Sequence, residues 1–175
     1  MDETEQDQRY REAAAEYGAA LHRLAMAYEA DADKRRDLEQ ELHLALWRSL
    51  HGFDGRCSLR TWVYRVAHNA ATTYVIGQRR SRAYALVGLE QLETLPDPMA
   101  GRQTADQQRN TERLLQLIQQ LKPLDRQVIL SYLEGLDAAA TAEITGITAG
   151  NVATKIHRIK NILARQFHQG GSHAR

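Results

Sequence analysis

Apolar residues recur three or four positions apart along most of this chain, and this spacing restricts the fold more than any other feature. It places apolar side chains on one face of an α-helix, whereas a half-buried strand would need them at every second position. Glycine and proline, which interrupt helices, number only 11 and 3 in 175 residues. The sequence therefore predicts an all-α protein.

The helical pattern divides the chain into two parts. Helices are predicted over roughly residues 8–30, 34–52 and 58–80, and helical periodicity resumes at about 111. The intervening stretch "LVGLEQLETLPDPMAGRQTADQQRN" contains two of the three prolines and no sustained apolar stripe. We therefore predict two small helical domains, a first domain over 1–85 and a second over 111–168, joined by a flexible linker over 86–110 and followed by a disordered tail over 169–175.

Charge alternates strongly along the chain although the net charge is only +1. Residues 1–47 carry a net charge of −6, residues 48–82 of +6, residues 83–140 of −3 and residues 141–175 of +4. Two basic blocks favour two separate anion-binding surfaces, although solvated helix faces can produce the same pattern.

Several features favour a cytoplasmic protein without membrane insertion. The N-terminus is acidic, unlike a signal peptide, and no apolar run is long enough to span a bilayer. The single cysteine, Cys57, cannot form an internal disulfide, which fits a reducing compartment. We interpret Cys57 as a small filler, with a redox role or a metal site with His43 or His51 as alternatives.

The segment "DAAATAEITGITAGNVATKIHRIK" predicts a helix-turn-helix. Asp137 is a good N-cap for a short helix over 138–145, Gly146 supplies the turn, and Thr148 can cap a longer helix. The second helix of such a motif enters the major groove of DNA. An ordinary amphipathic helix packed on a bundle remains the alternative.

The longer helix separates into an apolar and a polar face. The apolar stripe consists of Val152, Ile156, Ile159 and Leu163. The polar face, suited to base edges and phosphates, consists of Asn151, Thr154, Lys155 and Arg158.

Two segments of the chain resemble the extracytoplasmic-function (ECF) sigma factors of bacterial RNA polymerase. The elements "DLEQE" at 37–41, Trp47, "FDGR" at 53–56, "SLRTWVYRVAHN" at 58–69 and "QRRSR" at 78–82 resemble sigma region 2. The stretch "LKPLDRQVILSYLEGLDAAATAEITGITAGNVATKIHRIK" is similar to sigma region 4, in the expected order. The chain departs from the family pattern at "AAA" over 138–140, at Glu39 and at Ala153, and the last departure puts one contact to the −35 element in doubt.

The resemblance implies a protein that acts by binding rather than by catalysis. Its expected partners are core RNA polymerase (the clamp helices of the β′ subunit, and the β subunit), promoter DNA and an anti-sigma factor. No catalytic residue, cofactor or metal ion is predicted. Two other functions remain open: a stand-alone helix-turn-helix transcription regulator, and a protein-interaction bundle that does not contact DNA.

The resemblance also implies three binding surfaces. Core polymerase would contact Asp37, Gln40, Glu41, Leu44 and Arg48. The −10 element would contact Phe53, Asp54, Arg56, Ser58, Arg60, Tyr64, Arg65, His68, Asn69, Arg79 and Arg80. The −35 element would contact Thr148, Asn151, Thr154, Lys155, His157 and Arg158. Packing offers an alternative for three of the side chains in this part of the chain, since Leu44 and Trp47 could lie against the first helix and Phe53 could anchor its loop in the core.

Periodicity assigns the two faces of the helix that follows Ser58. The predicted core stripe consists of Leu59, Trp62, Val63, Val66, Ala67, Ala70 and Tyr74. The opposite, DNA-facing side consists of Tyr64, Arg65, His68 and Thr72. Trp62 is thus predicted to pack in the core, and Tyr64 to be exposed for contact with DNA.

Overall fold

Every regular element in the described residues, 3–79 and 107–171 of a computed structural model, is an α-helix. In chain order the helices are α1 (Glu3–Tyr28), α2 (Ala32–Leu50), α3 (Leu59–Arg79), α4 (Gln107–Gln120), α5 (Pro123–Leu133), α6 (Ala138–Thr145) and α7 (Ala149–Gly171). Most of the predicted linker, residues 86–106, lies outside the described residues. Within these described ranges, no helix is both long and apolar enough to cross a bilayer.

Side-chain caps and glycine turns set the helix boundaries. The Asp31 carboxylate accepts hydrogen bonds from the backbone N–H groups of Asp33 and Lys34 at 3.0 and 3.1 Å, which starts α2. The Asp137 carboxylate accepts from the Ala140 N–H at 2.7 Å and starts α6. Gly146 ends α6 in the left-handed region, at φ 75°, where a side chain would be strained. The helix-turn-helix predicted from these residues is therefore present.

Two predicted boundaries differ from the structure. Helix α4 begins at Gln107, inside the predicted linker, and α7 continues to Gly171, beyond the predicted start of the tail at 169. Helix α7 is joined to α4 at Gln166, whose main-chain oxygen accepts a hydrogen bond from the Arg113 guanidinium at 2.7 Å. Residues 172–175 lie outside the described residues.

The N-terminal module, α1 to α3, is built around one apolar face of α2. Leu38, Leu42, Leu46 and Leu50 recur every four residues and are fully buried against α1 and α3. Each fully buried leucine stabilises the fold by about 1.5–3 kcal/mol. This spacing leaves the opposite face of α2 to solvent.

The C-terminal module, α4 to α7, contributes its own set of buried apolar residues to the core. These residues are Leu117, Ile118, Leu121, Val128, Ile129, Ile144, Val152, Ile159, Ile162 and Leu163. Arg126 is buried beside this core because its guanidinium donates to the main-chain oxygens of Gln119 and Leu121, which are left over at the end of α4.

The two modules pack against each other through α1 and α3 on one side and α4, α5 and α6 on the other, and the contact between α3 and α6 is the most extensive. Gln119 of α4 donates to the main-chain oxygen of Met26 at 2.9 Å, and Gln127 of α5 donates to the Thr72 hydroxyl of α3 at 3.1 Å. The Arg126 guanidinium lies 4.9 Å from the centre of the Tyr28 ring. The contacts cover one face of α3, with consequences for the residues predicted to bind DNA.

Candidate nucleic-acid and protein-binding surfaces

The outer face of α2 presents the residues expected to contact a protein partner. Leu44 is 39% exposed, although it is a large apolar residue that could have packed on α1. Beside it, a groove of about 550 Å³ between α2 and α3 is lined by Asp37, Gln40 and Glu41, together with Ala45 and three residues of α3. An exposed leucine with polar and charged neighbours has the composition of a helix-docking surface.

Trp47, at the edge of the same helix, has a packing role. Its indole N–H donates to the Asp7 carboxylate of α1 at 2.8 Å, and Gln6 donates to its main-chain oxygen at 2.8 Å. The packing alternative is thus correct for Trp47 and wrong for Leu44. Arg48, one residue further along, is exposed.

The loop between α2 and α3 forms one wall of a pocket. Phe53, Asp54 and Gly55 line a cavity of about 440 Å³ together with Leu50, Leu59 and two residues of α1, Arg9 and Glu12. Asp54 accepts a hydrogen bond from the Arg56 backbone N–H at 3.1 Å and forms an ion pair with its guanidinium at 2.9 Å. Gly55 turns the chain at φ 76°. The pocket combines one aromatic side chain with three charged ones, and these are groups that can stack on an unstacked base and form hydrogen bonds with it.

The first turn of α3 is fixed to this loop by packing. Ser58 caps the helix, since its hydroxyl accepts from the Thr61 N–H at 3.0 Å. Trp62 is half-buried, donates to the Ser49 hydroxyl at 3.0 Å, and lies with its ring centre 5.4 Å from that of Phe53. These contacts assign Trp62 to packing, as predicted, and give Phe53 both a packing contact and a place in the pocket wall.

The second predicted core aromatic of α3, Tyr74, is also half-buried, and its hydroxyl donates to the main-chain oxygen of Lys34 at 3.1 Å. Arg65 stacks on the Trp62 ring with its guanidinium carbon 4.8 Å from the ring centre, and it reaches the Cys57 sulfur at 3.8 Å. His43, considered above as a metal ligand, instead contacts the Tyr10 hydroxyl through Nδ1 at 3.0 Å.

The predicted DNA-facing side of α3 is divided between exposed and buried residues. Arg60 and Asn69 are exposed, whereas Tyr64 and His68 are buried, at 3% and 0% exposure. The expected exposure of Tyr64 and His68 is therefore wrong, because the C-terminal module lies over them. Arg80 and the side chain of Arg79 lie outside the described residues.

His68 is enclosed by groups from both modules. Its Nδ1 lies 3.1 Å from the Tyr28 hydroxyl of α1, and its Nε2 lies 3.4 Å from the Ser131 hydroxyl of α5. Burial lowers the pKa of His68 to about 3, and the negative charge of Glu134 only partly opposes this shift. The imidazole is consequently neutral at neutral pH in this arrangement.

The sequence pattern does not point to Glu134 or Arg23, although they form a contact between the modules. Both carboxylate oxygens of Glu134, at the end of α5, accept hydrogen bonds from Arg23 of α1 at 2.7 Å. The Tyr64 hydroxyl donates to the same carboxylate at 2.9 Å, and Arg60 donates to the main-chain oxygen of Glu134. No local signal could identify this cluster, since Arg23 and Glu134 are 111 positions apart in the sequence.

The second helix of the helix-turn-helix, α7, exposes most of the residues expected to read DNA. Asn151, Thr154, His157 and Arg158 are exposed, while the Thr148 hydroxyl accepts from the Asn151 N–H at 3.3 Å and caps the helix. Lys155 differs because its ammonium group donates to the buried Asp125 carboxylate of α5 at 2.6 Å. That ion pair ties α7 to α5 and makes Lys155 part of the packing in this arrangement.

The predicted apolar stripe of α7 packs inward. Val152, Ile159 and Leu163 are buried, Ile156 is half-buried, and Ile162 joins them. The polar and apolar faces of the helix therefore lie where its periodicity places them.

Comparisons with known proteins agree with this two-module organisation. The sequence profile described as sigma-70 region 2 matches residues 14–81, and the one described as sigma-70 region 4 matches residues 111–163. The chain is 48% identical over 44 residues to the ECF RNA polymerase sigma factor SigG of Mycobacterium tuberculosis, covering 25% of this chain but only 12% of SigG. It is 24% identical over 159 residues to the ECF RNA polymerase sigma factor SigX of Bacillus subtilis, covering 86% of this chain and 79% of SigX.

A solved structure shares the fold over nearly the whole chain. The sigma factor RpoE in complex with the anti-sigma factor NepR, from Bartonella quintana, superposes with a TM-score of 0.66 at 18% sequence identity. The match covers 92% of this chain and 98% of that one.

Proposed function

Since this chain belongs to the extracytoplasmic-function sigma factors of bacterial RNA polymerase, we propose that it docks on core polymerase and directs that enzyme to promoters. In this proposal the domain over 1–85 binds core polymerase and the −10 element, and the domain over 111–168 binds the −35 element. The observation that carries the proposal is the presence, in one chain, of an outward leucine on α2 and an exposed reading face on α7. A stand-alone regulator would need only the second of these surfaces.

Docking on core polymerase is assigned to the outer face of α2. Burial of Leu44 under a partner helix would supply apolar contact, while Asp37, Gln40, Glu41 and Arg48 would set the orientation through charge and hydrogen bonds. The expected partner surface is the clamp-helix region of the β′ subunit, and the β subunit would contact the C-terminal module.

Opening of the −10 element is assigned to the loop and the start of α3. Unstacking and unpairing one base costs a few kcal/mol, which a preformed pocket can offset through stacking and hydrogen bonds. The cavity beside Phe53 and Asp54 offers an aromatic ring for stacking and a carboxylate for hydrogen bonding. The exposed Arg60 and Asn69 lie on the helix that follows this loop. The chain thus contributes binding energy as a DNA-binding regulator, while polymerase performs the chemistry.

Recognition of the −35 element is assigned to α7. Asn151, Thr154 and Arg158 project from the exposed face of a helix of the kind that enters the major groove. So few contacts, which are also sensitive to salt, would bind DNA only weakly by themselves. Selective recognition therefore requires that core polymerase positions α7 on the promoter.

An anti-sigma factor is a further proposed partner. The structurally similar RpoE of Bartonella quintana is in complex with the anti-sigma factor NepR. A partner of that kind would control the chain by covering its polymerase or DNA surfaces. Core polymerase and promoter DNA both lie in the bacterial cytoplasm, which is where we place the protein.

Binding to purified core polymerase, measured with a Leu44→Glu variant, tests the proposed docking surface. We expect the wild-type chain to form a stable complex and the variant to bind at least about tenfold more weakly, since a central apolar contact contributes on the order of 1–3 kcal/mol. Ile76→Glu is the matched control, because Ile76 is also a large apolar residue that is 47% exposed, but it lies on α3 and belongs to none of the surfaces assigned to core polymerase.

Two results would count against this assignment. If Leu44→Glu bound core polymerase as well as the wild type did, the docking surface would be wrong. If the wild-type chain formed no stable complex at all, the proposed function itself would fail, and the stand-alone regulator would be favoured.

A further inference from the structure

The carboxylate of Glu134 occupies a site built from donors of the N-terminal module. Arg23 approaches it edge-on with two parallel hydrogen bonds at 2.7 Å, and Tyr64 adds a third at 2.9 Å. Arg60 lies beside it and donates to the main-chain oxygen of the same residue. The Glu134 side chain is only 16% exposed, so these hydrogen bonds replace most of the contacts that its carboxylate would otherwise make with water.

Burial, hydrogen bonds and neighbouring charges all act on the pKa values of this cluster. Burial alone would raise the pKa of Glu134, but hydrogen bonds from Arg23 and Tyr64 and the charges of Arg23 and Arg60 outweigh it, so the pKa is lowered. The pKa of Tyr64 is raised, first by burial and then by its hydrogen bond to Glu134. A neutral phenol and two guanidinium groups therefore surround one carboxylate.

This set of donors suits a phosphate as well as it suits a carboxylate. A guanidinium binds two oxygens of either anion through the same pair of parallel N–H groups, and a tyrosine hydroxyl is a common phosphate donor. Arg60 and Tyr64 belong to the surface expected to contact the −10 element, and Arg23 extends that surface onto α1.

We infer that Arg23, Arg60 and Tyr64 form a binding site for a backbone phosphate of promoter DNA, and that Glu134 occupies this site in the free protein. The inference rests on the proposed function, because it assumes that DNA reaches this face of α3. The C-terminal module must then move away before a phosphate can replace the carboxylate. Arg23 becomes a DNA-binding residue, and Glu134 an internal competitor of DNA.

The competition affects only one of the two DNA surfaces. Asn151, Thr154 and Arg158 of α7 stay exposed while Tyr64 and His68 are covered. The free protein consequently presents its −35 surface but blocks part of its −10 surface. Binding of the N-terminal module to promoter DNA becomes conditional on separation of the two modules.

The competition is tested by the affinity of the full chain for a short fluorescent duplex of arbitrary sequence, since phosphate contacts are independent of sequence. We expect Glu134→Gln to raise the affinity about three- to tenfold, and Glu134→Ala to raise it at least as much because the amide can retain hydrogen bonds. The matched control is Glu112→Gln, which makes the same charge change at an exposed position on α4, in the same module but outside the helix-turn-helix. If neither Glu134 variant exceeded Glu112→Gln, the competition would be disproved.

The phosphate site is tested by adding Arg23→Gln to the Glu134→Gln chain. If Arg23 contacts a phosphate, the added substitution should lower the affinity for the duplex. The plot of the logarithm of the DNA-binding constant against the logarithm of the salt concentration should then have a slope that is smaller in magnitude by about one. The control is Arg36→Gln, because Arg36 is an exposed arginine that pairs with Asp33 on its own helix. An effect no larger than that of Arg36→Gln would leave Arg23 and Glu134 as a structural ion pair and overturn the inference.

Measuring how the same protein variants bind core polymerase distinguishes a failure of this inference from a failure of the proposed function. A chain that binds core polymerase but shows none of the DNA effects overturns the inference alone. Circular dichroism of each variant, compared with the wild type, establishes that it has folded before affinities are compared.

Discussion

Among single residues, His68 connects the packing of the two modules to pH most directly. Its ring is fully buried and faces Tyr28 from α1 and Ser131 and Glu134 from α5, while Tyr64 lies one turn away on its own helix. Burial lowers its pKa from 6.5 to about 3, so the packed arrangement requires the neutral imidazole. Separation of the modules would return His68 towards its ordinary pKa, near 6.5.

Acid should therefore favour separation of the modules. The closed form keeps its full stability above about pH 6.5 and loses it as the pH falls from there towards 3, because only the open form takes up the proton. At pH 5 the loss is about 2 kcal/mol. We expect small-angle scattering to show a larger radius of gyration at pH 5 than at pH 7.5 for the wild type, and a smaller change for His68→Gln.

An NMR titration of the imidazole provides the direct check. A His68 signal that titrates near pH 6.5 in the folded, closed protein would contradict this account, as would identical scattering changes in both proteins. Circular dichroism over the same range distinguishes separation from unfolding.

At the scale of elements, local chemistry defines the helix-turn-helix. The Asp137 cap and the left-handed turn at Gly146 fix both ends of α6, and Thr148 starts α7 at the next turn. The departure of Lys155 depends on a residue 30 positions away, since the buried Asp125 carboxylate would be an uncompensated charge without the ammonium group. Periodicity identifies the face on which Lys155 lies but not the partner that it meets.

The exposed face of α7 should control promoter choice without affecting attachment to core polymerase. Replacing Asn151, Thr154 and Arg158 together by alanine should reduce transcription from a −35-dependent promoter at least about tenfold, because each base contact contributes on the order of 1–3 kcal/mol. Core binding, measured in parallel, should stay at the wild-type level. Arg165→Ala, an exposed position further along the same helix, is the control.

Unchanged transcription by the triple variant would contradict the assignment of α7 to DNA and favour a bundle used only for protein contacts. Loss of core binding together with transcription would instead point to a role of this face in attachment to polymerase.

At the scale of the whole molecule, the sequence predicts the helices and the two-part organisation better than it predicts how the parts meet. The apolar repeats of α2 and α7 place their buried faces correctly, since each repeat refers only to its own helix. Periodicity places Tyr64 and His68 on the solvent side of α3 because it identifies only one buried stripe per helix. Periodicity carries no information on a second module that covers the other side of the helix. The contact between Arg23 and Glu134 joins residues 111 positions apart, and no local sequence pattern indicates it.

Reconstituted transcription is the most direct test of the claim that this chain is a promoter-recognition subunit. Purified chain and core polymerase would be incubated with genomic DNA fragments from the same bacterium, and the 5′ ends of the transcripts sequenced. We expect start sites that depend on the chain and share two upstream motifs, at −35 and −10, with a fixed spacing. Absence of chain-dependent start sites, with folded protein and with core polymerase shown to be active by a control sigma factor, would contradict that claim.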